Sequence, residues 1–387
     1  MSAVLRAPGE VRFTSLPPLS LYAHLPWCVR KCPYCDFNSH ERGEALPERE
    51  YVDALVADLE AMLPAVWGRR LRSVFIGGGT PSLFSPEAID RLLAAVRARL
   101  PLEPDAEVTL EANPGTAEAG RFRGYRAAGV NRLSLGIQSF DDAKLRALGR
   151  IHSAAEARRA IEMAQASFAN INLDLMYGLP AQSLEEAQAD LRAALACGTT
   201  HLSAYQLTLD PNTVFYRKPP PLPPHDACAD MQLMVEELAG AAGFEHYETS
   251  AFARPGMRCR HNLNYWEFGD YLGLGAGAHG KLSFADRVVR HERAKQPREY
   301  LALAGTAQEK AIAPRELPFE FMLNALRLVD GVPAELFAQR TGLDASVIAR
   351  RLALAQDKGL LESDPRRIRP TRRGRLFLND LLQLFLD

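Results

Sequence analysis

The sequence predicts an α/β protein: a parallel sheet wholly or partly closed into a barrel, followed by a small helical domain that resembles a winged helix. Three observations predict it. From Leu19 to about Tyr247, short β-rich runs alternate with amphipathic helical stretches, the rhythm of repeated βα units. Several runs are almost continuously apolar, as strands must be when helices cover both faces or when they line a barrel. After about Ala313 the pattern changes to helices alone and then a short basic ribbon. That change divides residues 1–313 from 314–387.

The six candidate strands are 19–24, 73–76, 106–110, 132–137, 171–176 and 202–207. Helical stretches fall between them at 50–63, 86–100, 154–168 and 184–197. In the first of these, Tyr51, Leu55, Leu59 and Met62 recur every three or four positions and form one apolar face. Ser85-Pro86-Glu87 is a helix start: a capping hydroxyl, a proline whose missing N–H costs nothing there, and an acid beside the positive end of the dipole. The run 217–224, RKPPPLPP, lacks the amide donors of a helix or central strand and reads as an extended surface loop. In the last part, helices are expected at 319–328, 334–341 and 345–358, a ribbon at 360–371 and a final helix at 375–386, with Gly342 at a sharp turn.

Of 387 residues, 47% are hydrophobic and 24% charged, with a formal net charge of −1. No global basic field draws the chain to nucleic acid or to an anionic membrane. The arginines after Ala313 read as solvated surface before they read as phosphate contacts. No apolar run is long enough for a signal peptide or a membrane span, so the expected location is cytoplasmic.

Three of the six cysteines, Cys28, Cys32 and Cys35, crowd into a loop directly after the first strand. A disulfide framework needs an oxidising compartment and usually a smaller domain, so this cluster reads as metal-binding. Three thiolates at these spacings can bind three irons of a 4Fe-4S cubane and leave the fourth iron open. An open iron can chelate the amino and carboxylate groups of S-adenosylmethionine (SAM), and one electron then cleaves a carbon–sulfur bond to give a 5′-deoxyadenosyl radical. The alternative is zinc, with His24 or His40 completing a four-ligand set, although the second paired spacing of a structural zinc site is absent.

A nucleotide pocket is expected at the strand C-terminal ends. Gly77-Gly78-Gly79-Thr80-Pro81 follows the second strand, where glycines permit close backbone approach to a ligand or make a tight structural turn. Glu111 closes the third strand, Gln138 follows the fourth, Arg150 lies twelve residues later, and Asp174 lies in the fifth. A carboxylate can accept both ribose hydroxyls, and a guanidinium can grip a carboxylate with two parallel bonds. Each could instead be a surface ion pair or a cap; recurring at successive strand ends, they favour a site.

With Tyr22-Ala-His24-Leu-Pro26-Trp27-Cys28, Gly77-Gly-Gly-Thr-Pro81, Glu111-Ala-Asn113-Pro114, Gly136-Ile-Gln138-Ser-Phe140 and Asp174-Leu-Met-Tyr-Gly-Leu-Pro180, the chain resembles the coproporphyrinogen dehydrogenase family of radical SAM proteins. The resemblance runs from about Leu19 to the C-terminus and, within the family, points to the heme-chaperone branch. It implies a partial (β/α)6 radical SAM barrel. Cys28, Cys32 and Cys35 would bind the cluster, Tyr22 and Gly78 would contact SAM, and Glu111 would meet its ribose. Tyr34, Gly79, Thr80, Gln138, Arg150 and Asp174 match a second SAM site of the oxidase branch. That branch also has a fourth cysteine where this chain has Phe37, and a longer N-terminal extension than the roughly twenty residues present here. Both departures turn the expectation from decarboxylation of coproporphyrinogen III, the alternative function, towards heme binding and delivery.

Arg260-His261-Asn262-Leu263-Asn264-Tyr265-Trp266 matches the HNxxYW signature of the heme-chaperone branch. His261 is the resulting heme-ligand candidate and His279 a second one, with a core histidine among packing aromatics as the alternative. The partners implied are heme, acceptor heme proteins such as respiratory ones, an electron donor for the cluster, and a second copy in a homodimer.

Overall fold

The computed structural model describes residues 9–115 and 119–386. All six expected strands form, each within a few residues of its expected ends: β1 (Leu19–Leu25), β2 (Leu71–Gly78), β3 (Leu102–Ala112), β4 (Arg132–Gln138), β5 (Ile171–Tyr177) and β6 (His201–Gln206). They pair in sequence order, each parallel to the next. The helices between them start where side chains can cap them. Ser85 accepts from the Ala88 N–H, while Ser153 with Glu156 and Ser183 with Glu186 form capping boxes. The helix Glu48–Met62 buries Tyr51, Leu55, Leu59 and Met62, the face its periodicity marks.

The sheet extends past the six strands on both sides, which the sequence pattern did not announce. Beyond β6 lie β7 (Glu245–Glu248) and β8 (Ala251–Ala253); beyond β1 lie β9 (Asp270–Leu274), β10 (His279–Ser283), β11 (Val288–Glu292) and β12 (Gln308–Ala311). The strand order is β12-β11-β10-β9-β1-β2-β3-β4-β5-β6-β8-β7, so among the described residues the parallel strands do not close on themselves. β9 is parallel to β1, and the strands beyond it are antiparallel. A buried charge cluster ties this extension down. Asp270 takes Lys281 Nζ at 3.0 Å and Arg69 Nη2 at 2.9 Å, and also accepts from the Ser283 N–H and hydroxyl.

Two cores result. The larger packs Leu21, Ala23, Val74, Ile76, Leu110, Leu135 and Leu173 of the parallel strands against helices on the outside. The second gathers Leu317, Phe321, Phe337, Ile348 and Phe385, with Tyr247, Phe268 and Val288 from the region before residue 313. Phe321 stands edge-on to both Phe268 and Phe337, with ring centroids 5.9 and 5.3 Å away. The helices here are Leu317–Ala325, Leu336–Thr341 and Ser346–Asp357, the second ending on Gly342 in the left-handed conformation. The 360–371 ribbon is reduced to a bridge between Leu361 and Pro370, and its strand Arg367–Ile368 pairs instead with Val332–Pro333. The final helix is interrupted at Phe377 into Arg372–Leu376 and Leu378–Gln383.

Candidate cofactor pocket

At Leu25, β1 ends and the chain crosses the carboxyl edge of the sheet in the loop bearing the cysteines. The loop is pinned at both ends. Trp27–Cys28 pairs with His40–Glu41, and Asn38 Nδ2 donates to the carbonyls of Ala276 and Lys295, both at 2.9 Å. The glycine run after β2 lies against this loop. The N–H of Gly79 donates to the Leu25 carbonyl at 2.9 Å, and that of Thr80 to the Trp27 carbonyl at 2.8 Å. A Cβ on Gly79 would stand 2.6 Å from the Trp27 carbonyl oxygen, and Gly78 has φ +123°. Close approach therefore demands glycine here, and the same residues line the pocket.

That pocket is a cavity of about 320 Å³ at the strand C-terminal ends, within the usual size range of small-molecule sites. Its walls bring together Cys28, Cys32, Cys35, Tyr34, Gly78, Gly79, Thr80, Glu111, Gln138, Arg150 and Asp174. Every expected cluster and SAM residue is thus on one surface except Tyr22, and the heme-ligand candidates His261 and His279 lie outside it. Tyr22 faces the neighbouring cavity, where its hydroxyl and His24 Nδ1 are 2.9 Å apart.

The donor set fits an anionic thiolate-bound cluster. Burial pushes the Cys28 and Cys35 thiols above their ordinary range, so thiolates here need positive partners or hydrogen bonds. Thr80 Oγ1 lies 3.6 Å from Cys28 Sγ, and Arg150 Nη1 lies 3.7 Å from Cys32 Sγ. Arg150 is fixed by Nη2 bonds to Asn113 Oδ1 at 2.7 Å and the Gly136 carbonyl at 2.8 Å, while its Nε is enclosed without a partner. Among the described residues, no three His, Cys, Asp or Glu side chains converge closely enough to hold a single metal ion. His24, a zinc candidate, has both ring nitrogens engaged, by Tyr22 and by the Asn38 carbonyl.

The carboxylates lie deeper. Burial first, and then the charge of Asp174, pushes Glu111 up to about 8, against the lowering effect of the Gly78 N–H that donates to it at 3.1 Å. Burial also raises Asp174, which accepts from Ser134 Oγ at 3.0 Å and Asn172 Nδ2 at 2.8 Å. Such a pair can receive hydroxyl donors in a site poor in water. Gln138 ends β4 at φ +69°, a conformation uncommon for a residue with a side chain.

His261 is placed differently from an open ligand. It is 1% exposed, its Nδ1 is 2.9 Å from Ser73 Oγ, and its Nε2 is 3.1 Å from the Tyr265 hydroxyl. Burial lowers it to about 3, so it is neutral. Its partner Tyr265 and the next residue, Trp266, line the neighbouring cavity.

Several pocket residues escaped the sequence reading. Ser134 and Tyr205 line the pocket from β4 and β6, and Asn113 links Arg150 to the Thr80 hydroxyl, Nδ2 to Oγ1 at 2.9 Å. Asn113 sits two residues past Glu111 in a motif quoted for other reasons, and its strand-end position was the available signal.

A strand-edge thiol loop over a small-molecule-sized pocket at the carboxyl edge of parallel strands is the arrangement expected of a radical SAM protein. The chain matches the Radical SAM superfamily over residues 22–194 and the HemN C-terminal domain over residues 312–377. The heme chaperone HemW of Haemophilus influenzae is 49% identical over 377 residues, covering 96% of this chain and 98% of that protein. HemW of Escherichia coli is 50% identical over 373 residues, covering 96% and 99%. The solved coproporphyrinogen III oxidase (HemN) from Escherichia coli, a radical SAM enzyme, superposes with a TM-score of 0.80 at 25% identity, covering 96% of this chain and 90% of that one. The chain belongs to the HemW family of radical SAM proteins. The superfamily's cofactors, a 4Fe-4S cluster and SAM, come with that membership. No helix among the described residues is long and apolar enough to cross a membrane.

Proposed function

We propose that this protein is a heme chaperone that binds heme and delivers it to acceptor heme proteins, using a SAM-coordinating 4Fe-4S cluster. The observation that carries this reading is the identity of about half over nearly the whole chain with two HemW proteins named as heme chaperones. Cys28, Cys32 and Cys35 hold the cluster, which when bound offers an open iron for the amino and carboxylate groups of SAM and an electron for its sulfonium. The chain's own residues do the rest. Backbone at Gly78 and Gly79 lets the nucleotide come close, and Glu111 and Asp174 receive its hydroxyls. Arg150 neutralises charge beside Cys32. Tyr34, capping the pocket against Phe215 with ring centroids 6.4 Å apart, keeps water out.

A coproporphyrinogen III oxidase is the second reading, favoured by the HemN superposition. Against it stands Phe37, 59% exposed on the cysteine loop where the oxidase branch has a fourth cysteine. The experiment is anaerobic reconstitution, heme loading, and transfer to an apo heme protein. Transfer is expected from the parent and lost in the triple variant C28A/C32A/C35A. Unchanged transfer by that variant removes the cluster from the function, and anaerobic turnover of coproporphyrinogen III with SAM and a reductant decides for the oxidase.

A further inference from the structure

Asp174 stands at the end of a chain of buried polar side chains with no part in the function proposed so far. Parallel pairing sets Ser134, Asn172 and His201 level with one another on β4, β5 and β6, with Asp174 two residues beyond Asn172 on β5. Alternate residues of a strand share a face, so Asn172 lies on the same side of the sheet as Asp174, one step deeper. Asn172 is 2% exposed, His201 is fully buried, and Tyr247 reaches His201 from β7 and the second core.

The hydrogen bonds admit one set of directions. Asn172 Nδ2 is 2.8 Å from both Asp174 Oδ1 and Ser134 Oγ, and Asn172 Oδ1 is 2.6 Å from His201 Nδ1 and 3.1 Å from Ser203 Oγ. An amide oxygen only accepts, so His201 donates from Nδ1. Burial, and then the charge of Arg132, keeps the imidazole neutral. Its Nε2 is therefore bare and accepts from the Tyr247 hydroxyl at 2.8 Å. Ser134 Oγ, already accepting from Asn172, gives its own hydrogen to Asp174 Oδ2 at 3.0 Å. Rotating the Asn172 amide by half a turn would set its oxygen against the carboxylate and its NH2 against the hydrogen on His201. Each oxygen of Asp174 thus receives one hydrogen from below, and its other lone pairs are left for the pocket.

We propose that His201 is a positioning residue of the SAM site: its Nδ1–H tautomer, fixed between Tyr247 and Asn172, orients the Asn172 amide so that Asp174 meets the nucleotide as an acceptor-only carboxylate selective for ribose hydroxyls. This rests on the reading above that Asp174 receives those hydroxyls. A histidine that merely fills the barrel would also need both nitrogens satisfied, but it would not govern which ligand a carboxylate two side chains away prefers.

The test is calorimetric binding of SAM and of its 2′- and 3′-deoxyribose analogues to full-length protein with the cluster reconstituted and kept oxidised, so that no SAM is cleaved. H201F is expected to lose about tenfold in affinity for SAM and little for the analogue whose missing hydroxyl Asp174 would have met, so the preference for ribose shrinks. N172L, which cuts the same chain at its middle link, should behave alike. H201N, whose amide can donate where Nδ1 does, should keep the parent preference. Circular dichroism and denaturation midpoints establish which variants fold. If folded H201F or N172L weakens SAM and both analogues equally, or matches the parent, the positioning role is overturned. If neither variant folds, the chain is a requirement of the barrel and the role is likewise overturned. D174N separates the two readings: if it keeps the parent's preference, the placing of nucleotide hydroxyls on Asp174 fails and the proposal with it, whereas if it loses that preference while H201F keeps it, the proposal alone falls.

Discussion

Replacing Gly79 by alanine probes the contact between the glycine run and the cysteine loop. The added Cβ would stand 2.6 Å from the Trp27 carbonyl oxygen, 2.8 Å from its carbon and 2.9 Å from the Pro26 carbon. Ordinary contact begins at 3.4 Å, so the two segments must part by about 0.8 Å (3.4 − 2.6) at the oxygen. All three obstacles are backbone, and no side chain can rotate away. Forcing a methyl into a packed site costs about 1–3 kcal/mol. Here the relaxation also stretches the Gly79 to Leu25 and Thr80 to Trp27 hydrogen bonds and draws Thr80 Oγ1 away from Cys28 Sγ. G79A should therefore lose that much stability in chemical denaturation and, after anaerobic reconstitution, hold less iron and sulfide with a weakened response to SAM. Gly43→Ala is the control: nothing lies within 4 Å of its added Cβ and its φ is unexceptional, so stability should hold or rise slightly. A G79A protein that matches the parent in denaturation midpoint, iron content and SAM response refutes the packing argument.

SAM affinity should rise with pH up to about 8. Glu111 sits near 8 without ligand, and hydroxyl donors favour its ionised form, so binding at pH 7 releases protons and weakens by at most about tenfold per pH unit below 8. Calorimetry in buffers of different ionisation enthalpy measures this, and E111Q should flatten the dependence. Protein stability should fall as pH drops below about 6.5. His261, held neutral with its value lowered to about 3, costs roughly 1.4 kcal/mol per pH unit through that window because the unfolded chain takes up the proton. H261F should shrink the slope seen in urea titrations between pH 7 and 5. Asp270→Ala should destabilise by about 3–5 kcal/mol, since it leaves Lys281 buried without its partner; D270A/K281M should recover much of that loss in the same assay.

The parallel strands were legible because buried β-rich runs such as Arg132–Gln138 announce themselves by composition, and the cysteine loop because three thiols in eight positions have few other uses. The antiparallel extension was not. Its strands are short, and they carry charged residues such as Asp270 and Lys281, with Arg293 just beyond. In the fold they are buried as ion pairs, Arg293 with Asp58 at 2.7 Å. Charge in a sequence signals exposure unless its partner is known, and these partners lie far apart in the chain. The same limit applies to the histidines. His261 carries the recognisable pattern yet is enclosed by Ser73, Phe75 and Tyr265, whereas His279, the second candidate, is half-exposed at the start of β10. Glu111, Gln138 and Asp174, by contrast, converge because parallel βα topology delivers the strands' carboxyl ends to one edge.

Anaerobic iron and sulfide analysis of the reconstituted parent, joined to electron paramagnetic resonance of the reduced protein before and after adding SAM, bears most directly on the thiol loop. A 4Fe-4S stoichiometry and a signal that shifts when SAM is added are expected. Zinc in place of iron and sulfide, or a cluster signal that ignores SAM, contradicts the assignment of Cys28, Cys32 and Cys35 as ligands that leave one iron open.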